Sequence, residues 1–274
     1  MYIEINSTYG SITHYYHFFY GVMIPLLLYS IKNKKEEFIL NDDLGPMLKI
    51  LYELPLNVLY KCNIGKKKRF YIEPLDTLKS KYDDKKRINY SDIKLINQYF
   101  KKNLPFYITP NKTYDIILID RQIDTKYKLM NYSCLKNNKK RKKELIRKLG
   151  STSGKERRYI KNHQEIVKSL EKKFGNKFIN ISLENLPLFY QYYLFSNAKL
   201  VIAQHGAALS NVIFMKKNTN VIEIISKEKI DEGEDTFKNL SKICKLNHYF
   251  IKKKEENPTI NPKILIDVIN KLLS

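Results

Sequence analysis

Residues 199–215 read KLVIAQHGAALSNVIFM and form the strand-to-helix junction on which the prediction of the fold depends. The run KLVIA is typical of a buried strand, and the run ALSNVIFM is typical of a helix. His205 and Gly206 stand between the two runs. A turn needs only the glycine, so the histidine and the small Ala207-Ala208 pair indicate that a ligand comes close to the backbone at this junction.

Strand-like and helix-like segments alternate along the rest of the chain. In the second half, IILI, KFINI, NVIEII and HYFI have the composition of strands, and helix-like stretches separate them. This alternation predicts an α/β fold with mostly parallel sheets. Pro105 and Pro110 mark a linker, so we expect two Rossmann-like domains, residues 1–108 and 109–274, facing a cleft. Such sheets bind ligands beyond the carboxyl ends of their strands, where the 199–215 junction lies.

The chain is strongly basic, with 50 Lys and Arg against 28 Asp and Glu and a net charge of +22 in 274 residues. This charge favours partners that carry phosphate or other anionic groups. One alternative is that the lysines, in a chain rich in Ile and Asn, are a solvated surface. Nucleic-acid binding by the basic run at residues 136–148 is another alternative, although that run lacks the interleaved aromatic side chains that stack on bases.

The spacing of the cysteines and the hydropathy of the chain indicate the cellular compartment. Cys62, Cys134 and Cys244 are widely spaced, which argues against a disulfide framework and fits a reducing compartment. The apolar stretch at residues 15–31 contains His, Gly and Pro and is too interrupted for a membrane span, so we predict a buried helix there. No signal peptide precedes it, and we expect a cytoplasmic protein without a transmembrane segment.

Residues able to bind phosphate or a nucleotide follow the predicted strands. Gly206 would let a phosphate reach the N–H groups of the next helix, and His205 would donate a hydrogen bond to the phosphate or to a sugar hydroxyl. Arginines at strand and helix ends suit phosphate oxygens, and a carboxylate at the end of a buried strand suits ribose hydroxyls. These residues are Arg121, Arg157, Arg158 and Glu223. Capping, packing or solvated surface roles are the alternatives for each.

Transfer of a group to a hydroxyl also needs a proton acceptor. The candidates are His14, His17, Asp42 and Asp43, of which the two aspartates follow the strand FIL. A turn-forming or capping role is the alternative for the aspartates. The chain has no D-x-D or H-x-x-x-H pattern, no G-x-S-x-G and no glycine-rich dinucleotide or P-loop motif. We therefore expect a site without a metal ion and without a serine nucleophile.

Four stretches together resemble the motifs of glycosyltransferase family 61. They are YYHFFYGVMIPLL, RRYIKNHQEIVKSLEKKF, the 199–215 junction with the NVIEI strand that follows it, and DTFKNLSKICKLNHYF. They stand in the order of the family's motifs, and QHGAALSN is the most specific of them. The resemblance is good between Asp115 and Phe250, moderate over residues 12–60 and weak between these parts.

The resemblance implies two Rossmann-like domains of the GT-B type, with the acceptor on the first and the nucleotide sugar on the second. In this arrangement the C-terminal helix crossing back to the first domain is an open alternative. The implied function is an inverting glycosyltransferase that moves a pentose or N-acetylhexosamine from a nucleotide sugar, commonly a UDP-sugar, to a glycan hydroxyl. A microbial or viral enzyme would work in the cytoplasm, the host's if viral. A nucleic-acid-binding protein and an inactive sugar-nucleotide binder stay open as alternatives.

The resemblance also assigns residues to the site. Around the donor diphosphate or the sugar it places His205, Gly206, Ala207 and Asn211, and in the nucleotide region it places Arg121, Arg158, Asn162 and Glu223. His17 would face the cleft from the first domain as the catalytic base. Gly21-Val22 stand where the family often has an acidic residue, which keeps Asp42 and Asp43 as the other candidates for the base.

Overall fold

In the computed structural model the chain divides into two compact units, with the described residues up to Asn103 in one and those from Leu104 onward in the other. The structure describes residues 2–5, 15–34, 37–40, 47–54, 56–60, 70–72, 88–108, 112–121, 159–184, 186–226, 229, 231, 235–255 and 257–274. The residues of the expected linker up to Ile108 group with the second unit. The acceptor and donor roles of the two units stay a prediction.

The first unit contains a four-stranded parallel sheet with the strand order β3-β2-β1-β4. Its strands are β1 (Tyr2–Ile5), β2 (Glu37–Leu40), β3 (Asn57–Tyr60) and β4 (Phe70–Ile72). Its helices are α1 (Tyr15–Phe18), α2 (Ile24–Asn33), α3 (Leu48–Tyr52) and α4 (Tyr90–Lys102). Parallel neighbours require crossover connections, and α2 meets the sheet where the ring of Tyr29 packs on Phe38, with centroids 6.4 Å apart.

A π-helical turn, Phe19–Met23, joins α1 to α2 in one continuous helix. The N–H of Ile24 bonds to the carbonyl of Phe19, five residues back. Pro25 follows directly, and its ring would crowd a carbonyl in a regular α-helix, so a wider turn relieves that contact. Residues 18–28 are all buried, which confirms the predicted buried helix. Among the described residues, no helix is long and apolar enough to cross a membrane.

Two reciprocal hydrogen bonds, each from a backbone N–H to a side-chain oxygen, fix the start of α4. Asn89 Oδ1 accepts from the N–H of Asp92 at 3.0 Å, and Asp92 Oδ2 accepts from the N–H of Asn89 at 3.4 Å. The Lys32 ammonium lies 2.8 Å from the other oxygen of Asp92. One nearly buried carboxylate therefore caps α4 and ties it to α2.

We expect Asp92→Ala to lower the free energy of unfolding by about 1–2 kcal/mol, because it removes a capping partner and the counter-ion of Lys32. Lys94→Ala, on the exposed face of the same helix, is the control and should change that free energy by less than about 0.5 kcal/mol. Urea unfolding of both variants measures the difference. Equal effects of the two substitutions would contradict the assignment of Asp92.

The second unit contains a five-stranded parallel sheet with the order β6-β5-β7-β8-β9. Its strands are β5 (Ile116–Ile119), β6 (Phe178–Ile181), β7 (Leu200–Gln204), β8 (Asn220–Ser226) and β9 (Asn247–Lys253). Its helices are α5 (His163–Phe174), α6 (Leu188–Asn197), α7 (Thr236–Ile243) and α8 (Pro262–Leu273). The parallel sheets confirm the predicted α/β class.

The terminal helix α8 belongs to the second unit. Its Leu265 and Ile269 join the apolar core that β5, β7 and β8 form with α5. Apolar residues on one face of α8 are thus buried against this sheet and helix, which is the main stabilising contribution for such a helix. The described core contacts of α8 lie within the second unit, and a crossing of this helix back to the first domain stays an alternative.

The segment after Gly206 is a 3-10 helix, Ala207–Phe214, and not the α-helix that its composition suggests. Leu209 N–H bonds to the carbonyl of Gly206 at 3.0 Å. The Asn211 side chain donates to the carbonyl of Ala208 at 3.4 Å, and this competes with α-helical hydrogen bonding. Asn and the β-branched residues that follow it are weak α-helix formers, so the tighter helix prevails over this short buried stretch.

Candidate functional site

The strand order of the second sheet creates a topological switch point between β5 and β7. The chain passes from β5 to β6 on one side, and β7 is then added on the other side of β5. The connections that leave β5 and β7 diverge, and the crevice between them is where α/β sheets bind ligands. Arg121 follows β5 and His205 follows β7, so both residues lie at this crevice.

Arg121 spans the crevice and contacts the junction directly. Its Nη1 donates to the carbonyl oxygen of His205 at 3.1 Å. A Cβ atom added to Gly206 would lie 3.1 Å from the same nitrogen. The backbone of Gly206 is extended, with a φ of 164°, which any residue can adopt. A side chain at this position would therefore press on the guanidinium group of Arg121, and glycine leaves room for that group.

The accessible part of the junction is short. Gly206, Ala207 and Ala208 are half-buried, whereas β7 before them and Leu209 after them are buried. The first N–H groups of a helix have no acceptor within the helix, and the aligned peptide dipoles make that end positive. With the Arg121 guanidinium beside it, this edge presents several hydrogen-bond donors to an anion.

Glu223 holds the ring of His205 in place. One carboxylate oxygen accepts from Nδ1 of His205 at 2.5 Å, and the other accepts from Nε2 of His248 at 2.9 Å. Glu223 lies within β8 and is 1% exposed, so the alternative of a surface carboxylate is wrong. Burial raises the pKa of Glu223, but hydrogen bonds from both histidines outweigh it and bring the pKa below its ordinary value. The carboxylate is therefore ionised at neutral pH.

This cluster of two histidines and a glutamate is a hydrogen-bonded arrangement. Among the residues that the structure describes, no group of three or more His, Cys, Asp or Glu side chains is placed to hold a metal ion. Each carboxylate oxygen of Glu223 instead receives a histidine N–H, as a buried carboxylate requires. The geometry serves to orient the His205 ring beside the crevice.

Asn211 supports the junction from the buried side. Its Nδ2 donates to Oε1 of Gln191 on α6 at 3.0 Å. The Gln191 amide in turn donates to the carbonyl of Leu186 at 2.9 Å. Asn211 is fully buried, and this network fixes the 3-10 helix against α6. A contact of Asn211 with the donor stays a prediction.

A family model supplies the deciding comparison. The model described as glycosyltransferase 61 matches residues 15–222, which is most of the chain. The chain belongs to glycosyltransferase family 61. It is therefore an enzyme that moves a sugar from a donor to an acceptor, and the family resemblance read from QHGAALSN is confirmed. A comparison with curated proteins finds no match.

Asn162, which the family 61 resemblance assigns to the nucleotide region, has a structural role in this enzyme. Its amide donates to the carbonyl of Ile260 at 2.8 Å and accepts from the N–H of the same residue at 3.0 Å. The N–H of Tyr159 also bonds to Oδ1 of Asn257 at 3.0 Å. These bonds clamp the start of α5 to the segment before α8. A contact of Asn162 with the donor stays a prediction.

The candidate bases of the glycosyltransferase lie in the first part of the chain. His17 is on α1, and burial lowers its pKa from the ordinary value of 6.5, so the ring is neutral at pH 7. The other candidates lie outside the described residues, as do two of the candidate arginines and the basic run. These are His14, Asp42, Asp43, Arg157, Arg158 and residues 136–148.

Sequence reasoning missed His248 and Ser241. A usable signal existed for His248, because successive residues of a strand face opposite sides of a sheet. The register pairs Glu223 with Phe250, and His248 shares the face of Phe250. A histidine and a glutamate on one face of adjacent predicted strands could therefore have been combined once the strand order was known.

Proposed function

We propose that the enzyme is an inverting glycosyltransferase whose nucleotide-sugar donor binds at the crevice between β5 and β7, with a UDP-sugar of the pentose or N-acetylhexosamine class as donor and a glycan hydroxyl as acceptor. The observation that carries the proposal is the contact of Arg121 with the His205-Gly206 junction at the switch point. The guanidinium fork, the helix N–H groups and the His205 ring all suit diphosphate oxygens.

In the proposed reaction the acceptor hydroxyl oxygen attacks the anomeric carbon from the side opposite the diphosphate. The new C–O bond forms as the bond to the diphosphate oxygen breaks, and the configuration inverts. The hydroxyl proton passes to a base, and the bonding electrons stay with the diphosphate. Arg121 and His205 stabilise that negative charge, and we propose that they take the place of a metal ion.

His17, Asp42 and Asp43 remain the candidates for the base. The lowered pKa of His17 supports its inclusion, because only a neutral imidazole can accept a proton. The two aspartates are retained because an acidic residue is missing at Gly21-Val22. A variant of each residue, compared for loss of transfer with retained UDP binding, distinguishes the base from residues that bind the donor.

We expect UDP to stabilise the protein against heat more than ADP, GDP or CDP does. A ligand at a hundred times its Kd adds about 2.7 kcal/mol to the free energy of unfolding, which raises Tm by several degrees. The shift should persist in EDTA if no metal ion is needed. If none of these nucleotides raises Tm while single-stranded DNA does, donor binding at the crevice is refuted.

A further inference from the structure

Ser241, His248, Glu223 and His205 form one continuous chain of hydrogen bonds in the second unit. Ser241 Oγ lies 2.9 Å from Nδ1 of His248, and Nε2 of His248 lies 2.9 Å from one oxygen of Glu223. The other oxygen binds His205. The side chains come from α7, β9, β8 and the loop after β7, and each is buried or nearly so.

The chemistry of the carboxylate sets the direction of these bonds. An ionised carboxylate only accepts hydrogen bonds, so both His205 and His248 must donate an N–H to Glu223. A neutral His248 that donates from Nε2 carries a lone pair on Nδ1, and the hydroxyl of Ser241 can donate to it. Both ring nitrogens of His248 then have a hydrogen-bond partner.

His205 adjoins the half-buried Gly206, whereas Glu223 stands between His205 and His248 in the hydrogen-bond chain. A shift of the carboxylate on its His248 side would therefore move the His205 ring at the crevice.

We propose that His248 is a positioning residue: by donating to one oxygen of Glu223 it holds the carboxylate so that the other oxygen fixes the His205 ring at the crevice. The identity of the ligand that meets His205, a nucleoside diphosphate, rests on the proposed function. The role of His248 in the hydrogen-bond chain rests on the geometry alone. His248 acts on the reaction only through Glu223 and His205.

Loss of His248 would leave the buried Glu223 carboxylate with one donor fewer. The carboxylate can then turn, and the ring of His205 is no longer fixed at the crevice. A donor that is not held in place binds a diphosphate more weakly. The other groups around the two histidines are the same in both proteins. Arg121 bonds to the His205 carbonyl, Phe237 and Phe250 pack on the two histidine rings, and Lys238 lies over Phe250.

The test compares His248→Leu, His248→Gln and wild type. UDP affinity is measured by calorimetry, and the ring ¹⁵N signals of His205, which report the hydrogen bond of Nδ1 to Glu223, are measured by NMR in the ligand-free protein. We expect His248→Leu to weaken UDP binding roughly 10- to 100-fold and to shift the Nδ1 signal of His205. His248→Gln should recover part of the UDP affinity and part of the wild-type His205 signal, because its amide N–H can donate to Glu223.

His163→Gln is the matched control, since His163 bonds to Asn180 at 3.0 Å and is not part of the chain. It should leave UDP affinity and the His205 signals as in wild type. Ser241→Ala removes the donor to His248 and should shift the His205 signals in the same direction by a smaller amount. It decides the question if His248→Leu fails to fold.

The two readouts separate this proposal from the proposed function. If UDP does not bind to the wild-type enzyme, the donor assignment fails, and the His205 signals still decide the role of His248. Unchanged His205 signals in folded His248→Leu, or in Ser241→Ala when that variant must stand in, overturn the positioning role even if UDP binds. A loss of UDP affinity with shifted His205 signals supports both proposals together.

Discussion

Arg121→Ala should lower the rate of UDP release from a UDP-sugar by roughly 10²–10³-fold, the usual effect of losing one preorganised electrostatic contact with a developing charge. The hydrogen bond from Arg121 to the carbonyl of His205 is worth about 1 kcal/mol, so the fold should remain intact. UDP released from the sugar nucleotides that stabilise the protein measures the rate, and thermal unfolding measures the stability.

Two further variants show whether the charge of the Arg121 guanidinium or its planar shape is responsible for the rate. Arg121→Lys keeps the positive charge but loses the planar fork that matches two phosphate oxygens, so it should restore only part of the rate. Lys199→Ala removes a basic residue at the amino end of β7, where it pairs with Asp115 at 3.2 Å. It should leave the rate unchanged. Equal losses in Arg121→Ala and Lys199→Ala would mean that only net charge matters.

Glu223→Ala should destabilise the second unit by about 3–5 kcal/mol, the cost of removing one partner from a buried charge network. Both histidine N–H groups that Glu223 accepts would lose their acceptor at a site from which water is excluded. Glu171→Ala removes an exposed carboxylate from α5 and should have little effect. Urea unfolding compares the two, and a similar loss in both would show that the buried network contributes nothing.

The pH dependence of stability gives a separate test of Glu223. Its pKa is lower in the folded protein than the ordinary 4.5, so the unfolded chain binds the proton more readily. The stabilisation from Glu223 is then complete above about pH 4.5 and is lost as the pH falls through the lowered folded pKa. Glu223→Gln has no such charge, so its stability should fall less steeply with acid. Parallel curves for the two proteins would contradict the lowered pKa.

Chain direction and hydropathy were enough to predict the α/β class and the edge of the sheet at which His205 lies. Apolar runs such as IILI and LVIA indicate strands buried on both faces, and their carboxyl ends meet at one edge when the strands are parallel. Because Arg121 and His205 each follow such a run, their placement at the same edge followed from the pattern alone.

Pairings across the sheet could not be predicted in the same way. The strand order decides that β5 and β7 are neighbours, and only then can Arg121 reach a carbonyl 84 positions away. Asn162 illustrates the ambiguity of a polar side chain, since an amide suits a sugar hydroxyl and a backbone peptide equally well. In this enzyme the side-chain amide of Asn162 is hydrogen-bonded to the backbone of Ile260, 98 positions away. Side-chain roles of this kind depend on contacts that a linear pattern does not contain.

The π-helical turn at Phe19–Met23 has a consequence for helical phase. One extra residue rotates everything before the turn by about 100° around the helix axis relative to everything after it. The direction of His17 is thereby uncoupled from the apolar stripe of α2, which keeps its own contacts. A chain that lost this extra residue would retain the helix and its buried side chains after Pro25, but His17 would point to a different side of the molecule.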